Sequence, residues 1–102
     1  MILGHSIKTT QHALKSLALR VRFLRLGRGW SQQEVASRAA IRLATYQLFE
    51  RTGKISLERL HRIAVVFQRA KELEELFKPL PIQSLDELVP KPQRQRGKSF
   101  KP

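Results

Sequence analysis

Ser31-Gln32-Gln33-Glu34-Val35-Ala36-Ser37-Arg38, then Ala39-Ala40-Ile41, then Arg42-Leu43-Ala44-Thr45-Tyr46-Gln47-Leu48-Phe49-Glu50-Arg51 is the stretch that decides the fold. Ser31 offers a hydroxyl N-cap, and Glu34, three residues on, completes a reciprocal capping box. A short helix is therefore predicted from Gln32 to Arg38 with Val35 and Ala36 inward. A three-residue turn follows, and then a second helix from Arg42 to Arg51 that turns Ile41, Thr45 or Tyr46, and Phe49 toward the core. Thr52 and Gly53 close it. Two short helices joined by such a turn, the second with small and polar residues outward, form the unit that places a helix in a DNA major groove.

Working outward, Leu14, Leu17, Val21 and Leu24 recur at spacings of three and four. This predicts a preceding helix from Thr10 to Leu26, ended by Gly27 and Gly29. Downstream, Ser56 caps a helix with Leu57, Leu60, Ile63, Ala64 and Phe67 on one face. Ala70 to Phe77 predicts a last helix, with Leu73, Leu76 and Phe77 apolar. Pro79 and Pro81 break the pattern, Ser84 and Glu87 suggest one capped turn through Leu88, and a disordered basic tail is expected from Pro90 on. The expectation is an all-α, five-helix domain over residues 11–78, with an N-terminal extension at 1–10 and a proline-containing basic tail at 79–102.

The chain has 102 residues, 41% of them apolar, which allows one helical core and leaves little room for a large catalytic cleft. Twenty Lys and Arg against eight Asp and Glu give a net charge of +12, a surface that seeks a polyanion. Residues 11–67 hold eleven basic and three acidic side chains, and 91–102 hold five basic and none acidic, so the excess belongs to the domain and the tail. Without cysteine there is neither a disulfide framework nor a thiolate metal site. The short apolar runs contain no membrane span, and the N-terminus lacks a signal-peptide core, which points to a cytoplasmic protein. His5, His12 and His61 are scattered, with no acidic ligands at metal spacing, and no glycine-rich phosphate loop is present. No enzyme, no metal and no cofactor is expected.

Through Leu24-Arg25, Gly29-Trp30-Ser31-Gln32-Gln33-Glu34-Val35-Ala36 and Thr45-Tyr46 to Glu50, the chain resembles the lambda-repressor and Cro-like helix-turn-helix proteins over about residues 17–67. The resemblance implies a lambda-repressor-like fold and a dimer that reads palindromic double-stranded DNA. It places Arg42, Leu43, Ala44, Gln47 and Leu48 on or near the groove face. Gln47 can bond an adenine edge and Ala44 can touch a thymine methyl. Ser31 and Gln32 are implied to meet phosphate; beyond the motif, Arg51 and Lys54 flank the C-terminal end of the second helix of the unit, where a loop is expected to run along the phosphate backbone. Arg25 and Glu50 are implied to form a structural ion pair. Two positions depart from the family pattern. Ala40 stands where the turn normally has glycine, which points to a tighter or continuously helical turn, and Arg42 replaces the usual Ser or Thr cap.

A narrower resemblance runs through Thr45-Tyr46-Gln47-Leu48-Phe49-Glu50-Arg51-Thr52-Gly53-Lys54-Ile55-Ser56-Leu57, Leu76-Phe77-Lys78-Pro79 and Ser84-Leu85-Asp86-Glu87-Leu88, followed by an Arg-rich tail. These segments are similar to HipB-like antitoxins. That resemblance implies a nucleoid-associated homodimeric repressor of its own toxin–antitoxin operon and a HipA-type kinase as partner. The alternatives are a stand-alone or phage-type regulator, or a basic adaptor for RNA or protein. Most aromatic residues fall at core positions, which argues against single-stranded recognition through stacked bases.

Overall fold

The computed structural model describes residues 2–81, with side chains from residue 7 on. Among the described residues five helices follow one another: α1 (Ile2–Gly27), α2 (Gln32–Arg38), α3 (Leu43–Thr52), α4 (Leu57–Val66) and α5 (Ala70–Glu74). Among the described residues there is no strand, and the fold is all-α. The capped turn expected at Ser84–Leu88 and the tail from Pro90 lie outside the described residues.

The core is built from Ala18 and Val21 of α1, Val35, Ala36 and Ala39 at α2, Tyr46 and Phe49 of α3, and Ile63 and Phe67 at α4. Leu24, Trp30, Ile41, Leu43, Ile55, Leu60 and Val66 close around it. Burying a side chain the size of Phe49 or Ile63 contributes about 1.5–3 kcal/mol, so these few contacts dominate the stability of a domain this small. α3 packs against both α1 and α2, while α4 packs against α2 and α5.

Helix boundaries follow local chemistry. The Ser31 hydroxyl accepts from the Glu34 amide at 3.0 Å, while the Glu34 carboxylate reaches forward to Arg38. The Ser56 hydroxyl accepts from the Arg59 amide at 3.1 Å. α1 ends at Gly27, and the turn after it is closed by Gly29, which takes the left-handed conformation, with the Trp30 amide returning to the Arg25 carbonyl.

Two boundaries differ from the sequence expectation. α1 begins eight residues before Thr10, because nothing between Gly4 and Leu26 breaks a helix, and residues 7–13 continue as an exposed extension of it. The segment 1–10 is therefore continuous with the first helix as far as it is described. α5 stops at Glu74 instead of Phe77. Pro79 disfavours helical backbone at Lys78, Phe77 turns left-handed at φ 69°, and its ring is 94% exposed. Of the expected apolar face of that helix, only Leu73 is drawn partly inward.

The loop between α1 and α2 is pinned by Trp30. Its ring lies 5.7 Å from that of Phe67, with the Arg38 guanidinium 4.2 Å from its centroid and that of Arg28 at 5.0 Å. Phe23, by contrast, points into solvent at 62% exposure, alongside Leu19 and Leu26.

Candidate nucleic-acid interface

The orientation of α3 is set by a buried carboxylate. Glu50 Oε2 accepts from Arg25 Nε at 2.7 Å and from Tyr46 Oη at 2.5 Å; Oε1 accepts from Arg25 Nη2 and from Gln32 Nε2, each at 3.0 Å. Arg25 Nη1 donates to the Trp30 carbonyl at 3.0 Å. The side chains of Arg25 and Glu50 are 10% and 5% exposed. One carboxylate thus ties α1, α2 and α3 together, with bidentate geometry from the arginine fork.

Electrostatics follow from this geometry. Burial pushes the Glu50 carboxyl up, but the bonds from Arg25, Tyr46 and Gln32 outweigh it and hold the group below its ordinary value. The Arg25 guanidinium is raised by its bond to Glu50 against the opposing effect of burial. The Tyr46 hydroxyl is raised by burial and by donating to Glu50. All three stay in the protonation states that make the cluster at neutral pH.

With Tyr46 and Phe49 inward, α3 turns Ala44, Gln47, Leu48 and Arg51 to solvent. Their spacing of three, four and seven residues makes one continuous stripe. Arg42 and Lys54 are exposed at either end of it. Leu43, placed on the groove face by resemblance, is half-buried and packs on the core, because it opens α3 beside the inward-turned Ile41.

Gln32 is likewise not free at the surface. It is half-buried, donates to Glu50, and accepts from Gln47 Nε2 at 3.3 Å. The residues expected to meet phosphate and base are therefore bonded to each other across the two helices. Ser31 is exposed, its hydroxyl engaged in the cap.

The turn between the helices carries the largest surprise. Ala40 adopts φ 58°, the left-handed conformation, so the turn is neither continuous helix nor a tightened one. The Ile41 amide returns to the Ala36 carbonyl at 3.0 Å and the Ala40 amide to the Ser37 carbonyl at 3.1 Å, a Schellman closure with alanine where glycine is least strained. Arg62 of α4 donates to the Ala40 carbonyl at 3.1 Å. Arg42 stands at the N-cap of α3 and makes no side-chain cap bond.

Charge is sorted by location. Every described acidic side chain lies within ion-pairing distance of a basic one: Glu34 with Arg38, Glu50 with Arg25, Glu58 with Arg62, Glu72 with Arg69, Glu74 with His61, and Glu75 with Lys71 and Lys78. Arg42, Arg51 and Lys54 around α3, and Lys15, Arg20 and Arg22 on α1, have no such partner among the described residues. Arg28 in the α1–α2 loop and Arg59 of α4 also lack an acidic partner among the described residues, so most, though not all, of the uncompensated positive charge lies on or beside α1 and α3.

Sequence reasoning missed three contributions: Tyr46 and Gln32 as partners of Glu50, and Arg62 as the support of the turn. A tyrosine one helical turn before a glutamate was a usable signal for the first. Nothing local to Arg62 announces its bond to a carbonyl 22 positions away.

Among the described residues, no group of three or more His, Asp or Glu side chains is placed to hold a metal ion, and no helix is long and apolar enough to cross a membrane. Comparison with protein-family models, with curated proteins and with solved structures gives no match.

Proposed function

We propose that the chain is a sequence-specific double-stranded DNA-binding repressor of the lambda-repressor-like helix-turn-helix kind, acting as a homodimer. The observation that carries this reading is the exposed stripe of α3, held by the Glu50 cluster and bracketed by unpaired Arg42, Arg51 and Lys54. A rigid helix with a small, polar outer face fits a groove about 12 Å wide, where base edges and thymine methyls are accessible. In this reading Gln47, Ala44, Leu48 and Arg42 face bases, with Leu43 at the margin, while Ser31, Gln32, Arg51 and Lys54 serve phosphate. The bond from Gln47 to Gln32 gives the pair a shared role, coupling the backbone contact to the base contact.

By resemblance the operator is an inverted repeat controlling the chain's own toxin–antitoxin operon, and a HipA-type kinase is the protein partner. Both belong to the proposal, as does a nucleoid-associated, cytoplasmic setting. Footprinting on the DNA upstream of the gene tests it: two protected half-sites one helical turn apart are expected. Affinity should fall with salt by a slope of about 0.9 per phosphate contact. Absence of a protected inverted repeat defeats the reading. Gln47→Ala should change base preference, whereas Arg51→Ala should weaken all sites alike, as measured by binding to a panel of operator variants.

A further inference from the structure

An apolar groove of about 510 Å³ runs between α1 and the α4–α5 pair, walled by Leu17 and Leu24 on one side and by Leu60, Phe67, Leu73 and Leu76 on the other. Arg20, Arg69 and Glu72 stand along it. Glu72 is occupied by Arg69, whereas Arg20 is exposed and has no acidic partner among the described residues. An open apolar trough of this kind on so small a domain calls for an occupant.

We propose that the groove is filled by residues 82–89 of the same chain, Ile-Gln-Ser-Leu-Asp-Glu-Leu-Val. Three observations on position, pattern and charge lead there. Leu76, which lines the groove, lies six residues before Ile82, so the segment begins within about 20 Å of the trough at full extension. The chain leaves α5 through a turn, with Phe77 left-handed and the Lys78 amide bonded to the Glu75 carbonyl, so it does not continue the helix away from the domain.

The pattern matches as well. Ile82, Leu85 and Leu88 recur at intervals of three with Val89 adjacent, which gives an amphipathic turn one apolar face to bury. Asp86 and Glu87 are the only acidic residues after Glu75, and they meet a rim on which Arg20 is uncompensated. A second copy seated through the same face would instead bring two α1 helices together. Their described cations Lys15, Arg20 and Arg22 are joined by no acidic residue before Glu34, and like charges would oppose the contact.

The chain contains no cysteine, so introduced pairs report contacts without interference. Leu57 lines the groove yet is 68% exposed, which makes Leu57→Cys with Leu88→Cys the reporting pair; exposed Ser37→Cys with Leu88→Cys is the control. On mild oxidation of the full chain, the reporting pair should close an intrachain disulfide about tenfold faster than the control, at a rate unchanged by tenfold dilution. Disulfide-linked dimers from the reporting pair would assign the groove to a second copy and overturn the proposal, as would equal rates for the two pairs.

A second measurement avoids cysteine altogether. Leu85→Asp with Leu88→Asp in the full chain should lower the melting temperature by several degrees and raise binding of a hydrophobic dye several-fold. An unchanged melting curve and unchanged dye binding would equally overturn it. Neither readout involves DNA, so its outcome is separate from that of the footprinting.

Discussion

At its C-terminal end α3 runs into Gly53, left-handed at φ 85°, and a Cβ there would stand 2.4 Å from the Leu14 backbone. At its N-terminal end the chain arrives through Ala40, also left-handed at φ 58° but exposed, and through Arg42, which caps nothing. The same backbone conformation is thus met once by the residue that suits it and once by one that does not. The difference lies in what surrounds each. Gly53 is buried where α1 crosses the end of α3, so the missing side chain is needed for space as well as conformation. Ala40 faces solvent, and its methyl group costs only the conformational penalty. One end of α3 is fixed in depth by Gly53 and the Glu50 cluster, while the end that opens toward the solvent stripe is under local strain.

The sharpest way to break this contrast is to remove the clamp from the fixed end. Arg25→Ala leaves the Glu50 carboxylate buried without its main partner, and a loss of about 3–5 kcal/mol is expected. Chemical denaturation measures it, and an unchanged midpoint would mean that the cluster does not hold α3. Gly53→Ala comes next. It combines a left-handed penalty with overpacking against Leu14, for a loss of about 2–5 kcal/mol. A mild effect there would erase the asymmetry between the two ends.

Acid offers a graded version of the first test. Because the folded-state value of Glu50 lies below its ordinary 4.5, the stabilisation it confers is complete above that pH and is lost as pH falls through the lower folded value. Thermal melts from pH 7 to pH 2.5 should therefore stay level down to about pH 5 and decline below it. Glu50→Gln should start lower at neutral pH and show a flatter decline, so that the two curves converge in acid. Parallel curves would count against the assignment.

The smallest effect, and the only one with opposite sign, belongs to the strained end. Ala40→Gly should stabilise by about 1 kcal/mol, near 4–8 °C in melting temperature, since glycine reaches φ 58° without a Cβ clash. Destabilisation by this substitution would show that the alanine methyl makes a contact worth more than its strain.

Much of this architecture was legible from local pattern. Leu14, Leu17, Val21 and Leu24 mark one face of α1, Ser31 and Ser56 mark helix starts by hydroxyl caps, and Gly29 and Gly53 mark helix ends. These signals work because each depends on atoms within four or five positions of one another. The errors fell where such signals compete or are missing. Without a breaker, α1 extends toward the N-terminus beyond its core contacts, and α5 stops at Glu74, short of the left-handed Phe77 and of Lys78, where Pro79 disfavours helix.

The candidate site divides in the same way. Arg42, Ala44, Gln47, Leu48, Arg51 and Lys54 were placed on the outer surface by helical spacing and resemblance, and they are exposed. Leu43 and Gln32 are not, because each meets a neighbour from elsewhere in the chain: the core in one case, Glu50 and Gln47 in the other.

By itself, then, the sequence determined which segments are helical, the hydroxyl caps at Ser31 and Ser56, most of the inward and outward faces of α3 and the sign of the surface charge. All of these depend on residue type and short-range spacing. Only the tertiary structure decided that one carboxylate would gather Arg25, Gln32 and Tyr46, that Arg62 would support the Ala40 turn, and that an apolar groove would remain between α1, α4 and α5. Those features join positions far apart in the chain, and the free energy that favours them exists only once the helices have packed.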